Sequence, residues 1–158
     1  MPKEALLKNN QRTLKEFNSS GIVCSYSCRL DGNMSLNYGS TKDSLDNRRD
    51  FLSKLGIDYR NLVCAKQTHS GNIEYVTHND LGRGAIDYEA AVDNTDGLVT
   101  DKRNLPLAIF TADCLSVFLY DTLTPALGLI HAGWRSSKES ISAKAVKLIR
   151  EKFCTYTK

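Results

Sequence analysis

Residues 105–135 read LPLAIFTADCLSVFLYDTLTPALGLIHAGWR, and this stretch decides the fold. It holds three apolar runs of strand length, 105–110, 115–120 and 126–130, with turn chemistry at Asp121–Pro125 between the last two. The third run ends on His131, and Ala132, Gly133, Trp134 and Arg135 follow before a helical pattern begins. Packing explains the apolar run. It explains an imidazole, a glycine and a guanidinium at a strand-to-helix turn less well. Ser136 with Glu139 three residues later reads as a capping box. Ile141, Ala145, Leu148, Ile149 and Phe153 then form one apolar stripe. The first-turn amides of such a helix would face His131 and Arg135, a favourable place for an anion. Trp134 reads as a packing residue that anchors the turn.

Upstream, 61–78 reads as strand, turn, strand, with Ser70-Gly71-Asn72 as the turn and His69 on its shoulder. Residues 79–95 are polar and contain glycine, so a long loop is expected; long loops in compact domains are usually functional or mobile. Residues 44–55 carry Leu45, Leu52 and Leu55 at helical spacing, with Gly56 as a stop. Residues 22–28 alternate as a strand, and 30–40 carry turn residues. Residues 1–20 are read as an N-terminal arm or short helix, and 21–158 as one domain.

The chain has 158 residues, enough for a single core. Its composition, 41% apolar and 25% charged, is that of an ordinary globular protein. A net charge of +3 without basic runs gives no reason to expect nucleic acid or a membrane surface as a partner. The five cysteines, at 24, 28, 64, 114 and 154, are irregularly spaced and odd in number. That argues against a disulfide framework and for a reducing, cytoplasmic setting. No apolar run is long enough to span a bilayer.

Of three histidines, His69 and His131 lie at strand ends, and Cys114 lies between two apolar runs. Two imidazoles and a thiolate suit zinc, and also copper, with a fourth position left open for water. Water on such an ion is acidified toward a pKa of about 7. The same atoms allow a metal-independent hydrolase with Cys114 as nucleophile and His131 as base. A buried cysteine and two hydrogen-bonded histidines are the plain structural alternative. Arg29, Lys66 and Arg135 are candidates for phosphate or carboxylate, and Asn37 and Gln67 for amide contacts to a base or sugar. The alternative for these two amides is turn chemistry and strand-edge bonding. Asp96 is either a helper acid or an Asp-Gly turn.

Taken together, AKQTHSGNIEYV (65–76), TDGLVTDKRNLPLAIFTADCLSVFLYD (95–121) and ALGLIHAGWR (126–135) resemble the laccase-domain, polyphenol-oxidase-named or YfiH-type family. The upstream YSCR, SLNYG and NRR elements agree, and the likeness covers roughly residues 21–150. The resemblance implies an α+β single domain with mixed sheets in an α/β/β/α layering. It also implies a zinc-dependent purine nucleoside enzyme that phosphorolyses adenosine, inosine or guanosine, some members deaminating adenosine. His69, Cys114 and His131 match the family's metal ligands. Arg29, Asn37 and Arg135 match residues of its motifs, and Gln67 lies in its KQxH element. The oxidase name, with copper, comes from activity on phenols; three ligands without a second copper cluster give four-electron oxygen chemistry little support. Ser136 departs from the family's usual glycine. Members run on well beyond the equivalent of Lys158, which implies a C-terminal part missing here, and with it self-association or a non-catalytic binding role.

Overall fold

The computed structural model describes residues 12–13 and 21–153. The remainder of the expected arm at 1–20, and Cys154, lie outside the described residues. Two compact units divide the chain, Met1–Tyr59 and Arg60–Lys158.

In the first unit β1 (Arg12–Thr13) pairs antiparallel with β2 (Ser25–Tyr26). The strand expected over 22–28 thus shrinks to two residues, because Cys28 already opens a 3-10 turn, its amide donating to Asp31 Oδ2 at 2.7 Å. Helix α1 (Thr41–Ser53) starts three residues earlier than the leucine spacing suggested, since Ser40 caps it by accepting from the Asp43 amide. Gly56, at φ +71°, lets the Ile57 amide reach back to the Leu52 carbonyl and stops the helix as expected. Arg48 is buried, its Nε donating to the Met34 carbonyl at 2.7 Å.

The second unit is built on a four-stranded sheet in the order β4 (Ile73–Tyr75), β5 (Gly97–Thr100), β8 (Leu127–Ala132), β7 (Leu115–Tyr120). The first pair is parallel and the other two are antiparallel. β3 (Val63–Cys64) and β6 (Leu107–Ala108) form a separate parallel pair. The strand–turn–strand reading of 61–78 is therefore right in its elements but is no hairpin: β3 and β4 pair with different partners. β5 escaped the reading because its apolar run is only Leu98-Val99, although all four of its residues are buried.

Side chains alternate across a strand, and β5 shows the result. Val99 packs in a cluster with Ala126 and Ile149, while Leu98 joins Val63, Ala65, Val76, Val92 and Leu105 on the other face. Helix α3 (Ile141–Phe153), the sheet and the β3–β6 pair thus stack as three layers. The other long helix, α1, belongs to the first unit. The 79–95 segment is a loop as expected, and it packs: Ala85, Ala91 and Val92 are buried, and Val92 exchanges backbone bonds with Cys64 and Lys66.

The capping-box expectation is overturned. Ser136 lies inside a five-residue helix, α2 (Trp134–Lys138), with Gly133 as its N-cap. Its buried hydroxyl donates to the carbonyls of His131 and Gly133 instead. Ser140, at φ +58°, breaks the chain between α2 and α3. The apolar stripe of α3 holds, with Ile141, Ala145 and Ile149 buried. Trp134 does not anchor the turn by burial, being 67% exposed.

Ile130 on β8 is fully buried against Ile141 and Ala145. Ile130→Ala should cost about 2–5 kcal/mol through lost contacts and a cavity. Urea unfolding should show a lower midpoint with an unchanged slope.

Candidate metal centre

Strand register assembles the site. Gly97 of β5 is opposite Ile130 of β8, and one step further the His131 amide donates to the Asp96 carbonyl at 2.7 Å. Asp96 and His131 are thus cross-strand neighbours on one face, where side chains meet. On the other side of β8, Ala132 is opposite Leu115, so Gly133 comes level with Cys114. Ile73 of β4 is opposite Gly97, and the Asp96 amide donates to the Asn72 carbonyl at 3.0 Å, which brings the 68–70 turn to the same end.

The ligating atoms of His69, Cys114 and His131 lie within 4.8 Å of one another. Among the described residues they are the one His/Cys/Asp/Glu group that could hold a metal ion. His131 is buried, Cys114 is half-buried and His69 is exposed, so the cluster opens to solvent on the His69 side. The two imidazoles meet edge to face with centroids 4.8 Å apart.

Asp96 organises both histidines. Its carboxylate is fully buried. Oδ1 accepts from His131 Nδ1 at 2.7 Å and from the His69 amide at 3.0 Å. Oδ2 accepts from the Ser70 amide and hydroxyl at 2.7 and 2.9 Å, and from the Thr68 amide and hydroxyl at 3.1 and 3.3 Å. Three successive amides converging on an anion make a backbone nest, and it holds His69 at φ +60°, a conformation uncommon outside glycine. Burial pushes the Asp96 carboxyl up, but the hydrogen bonds from His131, Ser70 and Thr68 outweigh it and hold the pKa at about 2. An ionised carboxylate can only accept, so His131 Nδ1 is the donor of this bond, and Nε2 is the ring nitrogen it leaves uncommitted. Metal-binding histidines are commonly fixed this way.

Gly133 completes the fit. A Cβ there would lie 3.1 Å from both Cys114 Sγ and His69 Cδ2, tighter than ordinary contact. A side chain there would press on two of the three residues of the cluster, so glycine suits this close approach.

The other residues singled out from the sequence lie as follows. Gln67 uses its amide on the backbone of Phe110, donating to the carbonyl at 2.9 Å and accepting from the amide at 2.7 Å. Arg135 is exposed and stacks its guanidinium 4.5 Å from the Trp134 ring centroid. Lys66 pairs with Glu89 at 2.5 Å. His78 bonds the Arg103 carbonyl with Nε2 at 3.0 Å, outside the cluster. Arg29 and Asn37 are exposed residues of the first unit, whereas the cluster, Gln67 and Arg135 belong to the second. Asn37 sits on a loop tied down by Asn33, whose side-chain amide donates to the Ser35 and Tyr38 carbonyls. The helix expected after HAGWR begins inside that motif, at Trp134, and is a short element that ends at Lys138, not the long amphipathic helix expected to hold an anion.

These features define a mixed α/β protein with a His-Cys-His cluster at the strand ends of its sheet. The chain belongs to the family described as multi-copper polyphenol oxidoreductase laccase, whose profile matches residues 24–158. It is 36% identical over 110 residues to the purine nucleoside phosphorylase YlmD of Bacillus subtilis, covering 70% of this chain and 40% of that protein. It is 34% identical over 102 residues to the adenosine deaminase RL5 of an unknown prokaryotic organism, covering 65% of this chain and 38% of that protein. The crystal structure of the Bacillus licheniformis hypothetical protein YfiH superimposes with a TM-score of 0.84 at 29% identity, covering 91% of this chain and 57% of that one. The chain therefore spans about two-fifths of the length of these curated relatives. No helix among the described residues is long and apolar enough to cross a membrane.

Sequence reasoning left the role of Asp96 open and missed Thr68 and Ser70. The usable signal was weak, Asp96 standing directly before the short buried strand GLVT and entering the interior with it. Because the Asp96 carboxyl titrates lower in the folded chain than in the unfolded one, its stabilisation is complete above about pH 4 and is lost as pH falls toward about 2. Asp96→Asn should lower stability at pH 7 by about 2–3 kcal/mol through loss of charge-assisted bonds. It should also flatten the acid limb of a stability–pH curve measured by urea unfolding.

Proposed function

We propose that His69, Cys114 and His131 hold a zinc ion, and that this centre serves a purine nucleoside phosphorylase, with adenosine deamination as a second reaction. The observation that carries the reading is the convergence of two imidazoles and one thiol within 4.8 Å at a solvent-open strand end. The donor set suits zinc and copper alike. Zinc is preferred because three donors at one point hold a single ion, whereas four-electron oxygen chemistry draws on several coppers. Bound there, zinc would supply Lewis acidity at neutral pH.

The chain's own residues have definite parts in this reading. Asp96 would hold the His131 Nδ1 hydrogen and so leave Nε2 for the ion. Arg135 offers an outward guanidinium fork, stiffened on Trp134, that suits phosphate oxygens bidentately. In phosphorolysis a phosphate oxygen bonds to C1′ of the ribose, the C1′–N9 bond breaks, and the base leaves with the electron pair and takes a proton. The products are ribose 1-phosphate and free base. Deamination exchanges the adenosine amino group for water, giving inosine and ammonia. The names carried by the YlmD and RL5 relatives support both halves.

A second reading has its own support. Asp96, His131 and Cys114 are also the acid, base and thiol of a metal-independent cysteine hydrolase, and the 2.7 Å Asp96–His131 bond would orient the base. Zinc on the thiolate would remove it as a nucleophile.

The test loads the chain with one equivalent of zinc and supplies inosine or adenosine with phosphate. Ribose 1-phosphate and free base should appear, with inosine formed from adenosine. Cys114→Ala should lower turnover by more than the roughly 10–100-fold typical of outer-shell changes. Zinc-loaded protein that forms none of these products overturns the proposal. Turnover that survives chelation but not Cys114 alkylation favours the hydrolase.

A further inference from the structure

Two of the three donors are tied to Asp96, but Cys114 is not. It precedes β7, the outer strand of the four-stranded sheet, and the segment leading to it, 109–113, lies outside the strands. The β3–β6 ladder ends at Cys64 and Ala108, where the Ala65 amide makes the last backbone bond to the Ala108 carbonyl at 3.3 Å. Beyond it the backbone of Lys66 turns the other way, its amide donating to Val92 and its carbonyl accepting from Thr95. The two segments would part here. Instead the Gln67 side chain crosses to Phe110 and makes both bonds that a backbone unit would make, 2.9 Å to the carbonyl and 2.7 Å from the amide. Four residues later comes Cys114. A hydroxyl bridge between Thr111 and Ser116, at 3.3 Å, closes the loop around it.

We infer that Gln67 is a positioning residue for Cys114: its amide acts as one more rung of the ladder and fixes the thiol-bearing loop against the His69 segment. Gln67 lies two residues before His69, so one side chain sets the distance between a nitrogen arm and the sulfur arm. The primary amide is the side-chain group that both donates and accepts in a plane, as a peptide does. Glutamate at this position could accept from the Phe110 amide but would set a carboxylate against its carbonyl. This role differs from the contact to a base or sugar that the motif suggested. It rests on the metal-site reading for one of its two readouts.

The experiment uses the full chain with Gln67→Ala and, as the near-isosteric variant, Gln67→Glu, each checked for folding by thermal melting. Cobalt and zinc affinities come from chelator competition, and the cobalt–thiolate charge-transfer band reports the sulfur arm. Alkylation of Cys114 in chelator-treated protein, mapped by mass spectrometry, reports the same arm without metal. Both variants should weaken the ions about 10- to 100-fold, as outer-shell partners do. They should also diminish the cobalt–thiolate band and speed Cys114 alkylation several-fold. In a Cys114→Ser background, Gln67→Ala should weaken binding no further, the mark of coupled residues. Alkylation at the wild-type rate overturns the inference, as does additive loss in the double variant. An effect confined to KM for nucleoside, with metal affinity intact, overturns it in favour of substrate contact. Should the wild-type chain bind neither ion, the metal reading fails, and the alkylation rate alone decides the role of Gln67.

Discussion

The buried carboxylate of Asp96 is the constraint on which the site depends. A carboxylate with no exposure is unfavourable unless its lone pairs are met, and here six donor contacts meet them. Those contacts are not local. Five come from Thr68, His69 and Ser70, and the sixth from His131, so one charge joins two segments distant in sequence. The turn before β4 has its shape because amides must point at Asp96, and His69 accepts a left-handed backbone as the consequence. The charge is therefore a structural centre before it is a chemical one.

Sheet topology makes such a centre possible. β5 is flanked by β4 and β8, β8 by β7, and residues at one end of these strands fall side by side. Asp96 precedes β5, His131 is the penultimate residue of β8, and Cys114 precedes β7. The parallel β4–β5 pair and the antiparallel β5–β8 and β8–β7 pairs bring chain entries and exits to one end, where side chains turn from packing to solvent. A shift of register by one residue would send His131 to the α3 face, among Ile141 and Ala145, and dissolve the cluster.

Much of this was legible in the sequence, and the limits have physical reasons. β7 and β8 could be read because their apolar runs are long and bounded by turn residues, and α3 because its stripe is regular. The His69, Cys114 and His131 set could be named as one site through the family resemblance, but their spacing fixed nothing, since register and not sequence distance joins them. The loop at 79–95 could be recognised, though not that it packs against β3. β5 was hidden because two apolar residues carry no period. The capping box failed at Ser136 because Gly133 starts the helix three residues sooner, leaving the hydroxyl to bind carbonyls instead of amides. Trp134 misled through its size: it lies outward and carries Arg135 on its face. Gln67 could be noticed for its place beside His69, but only the structure shows its amide spent on Phe110.

The three arms of the cluster differ in how they are held. His131 lies within a central strand, buried, with its ring locked by a charge-assisted bond. His69 sits on an exposed turn, yet its backbone is fixed by the nest around Asp96. Cys114 stands at the mouth of the outer strand, half-buried, with the Gln67 amide and the Thr111–Ser116 bridge around its loop. The supports thus differ in kind, a buried charge for the two imidazoles and neutral hydrogen bonds for the sulfur arm. The place of the sulfur arm therefore depends on neutral side-chain bonds, whereas Asp96 holds the two nitrogen arms. Gly133 lets these arms meet closely, since a Cβ there would lie 3.1 Å from both Cys114 Sγ and His69 Cδ2.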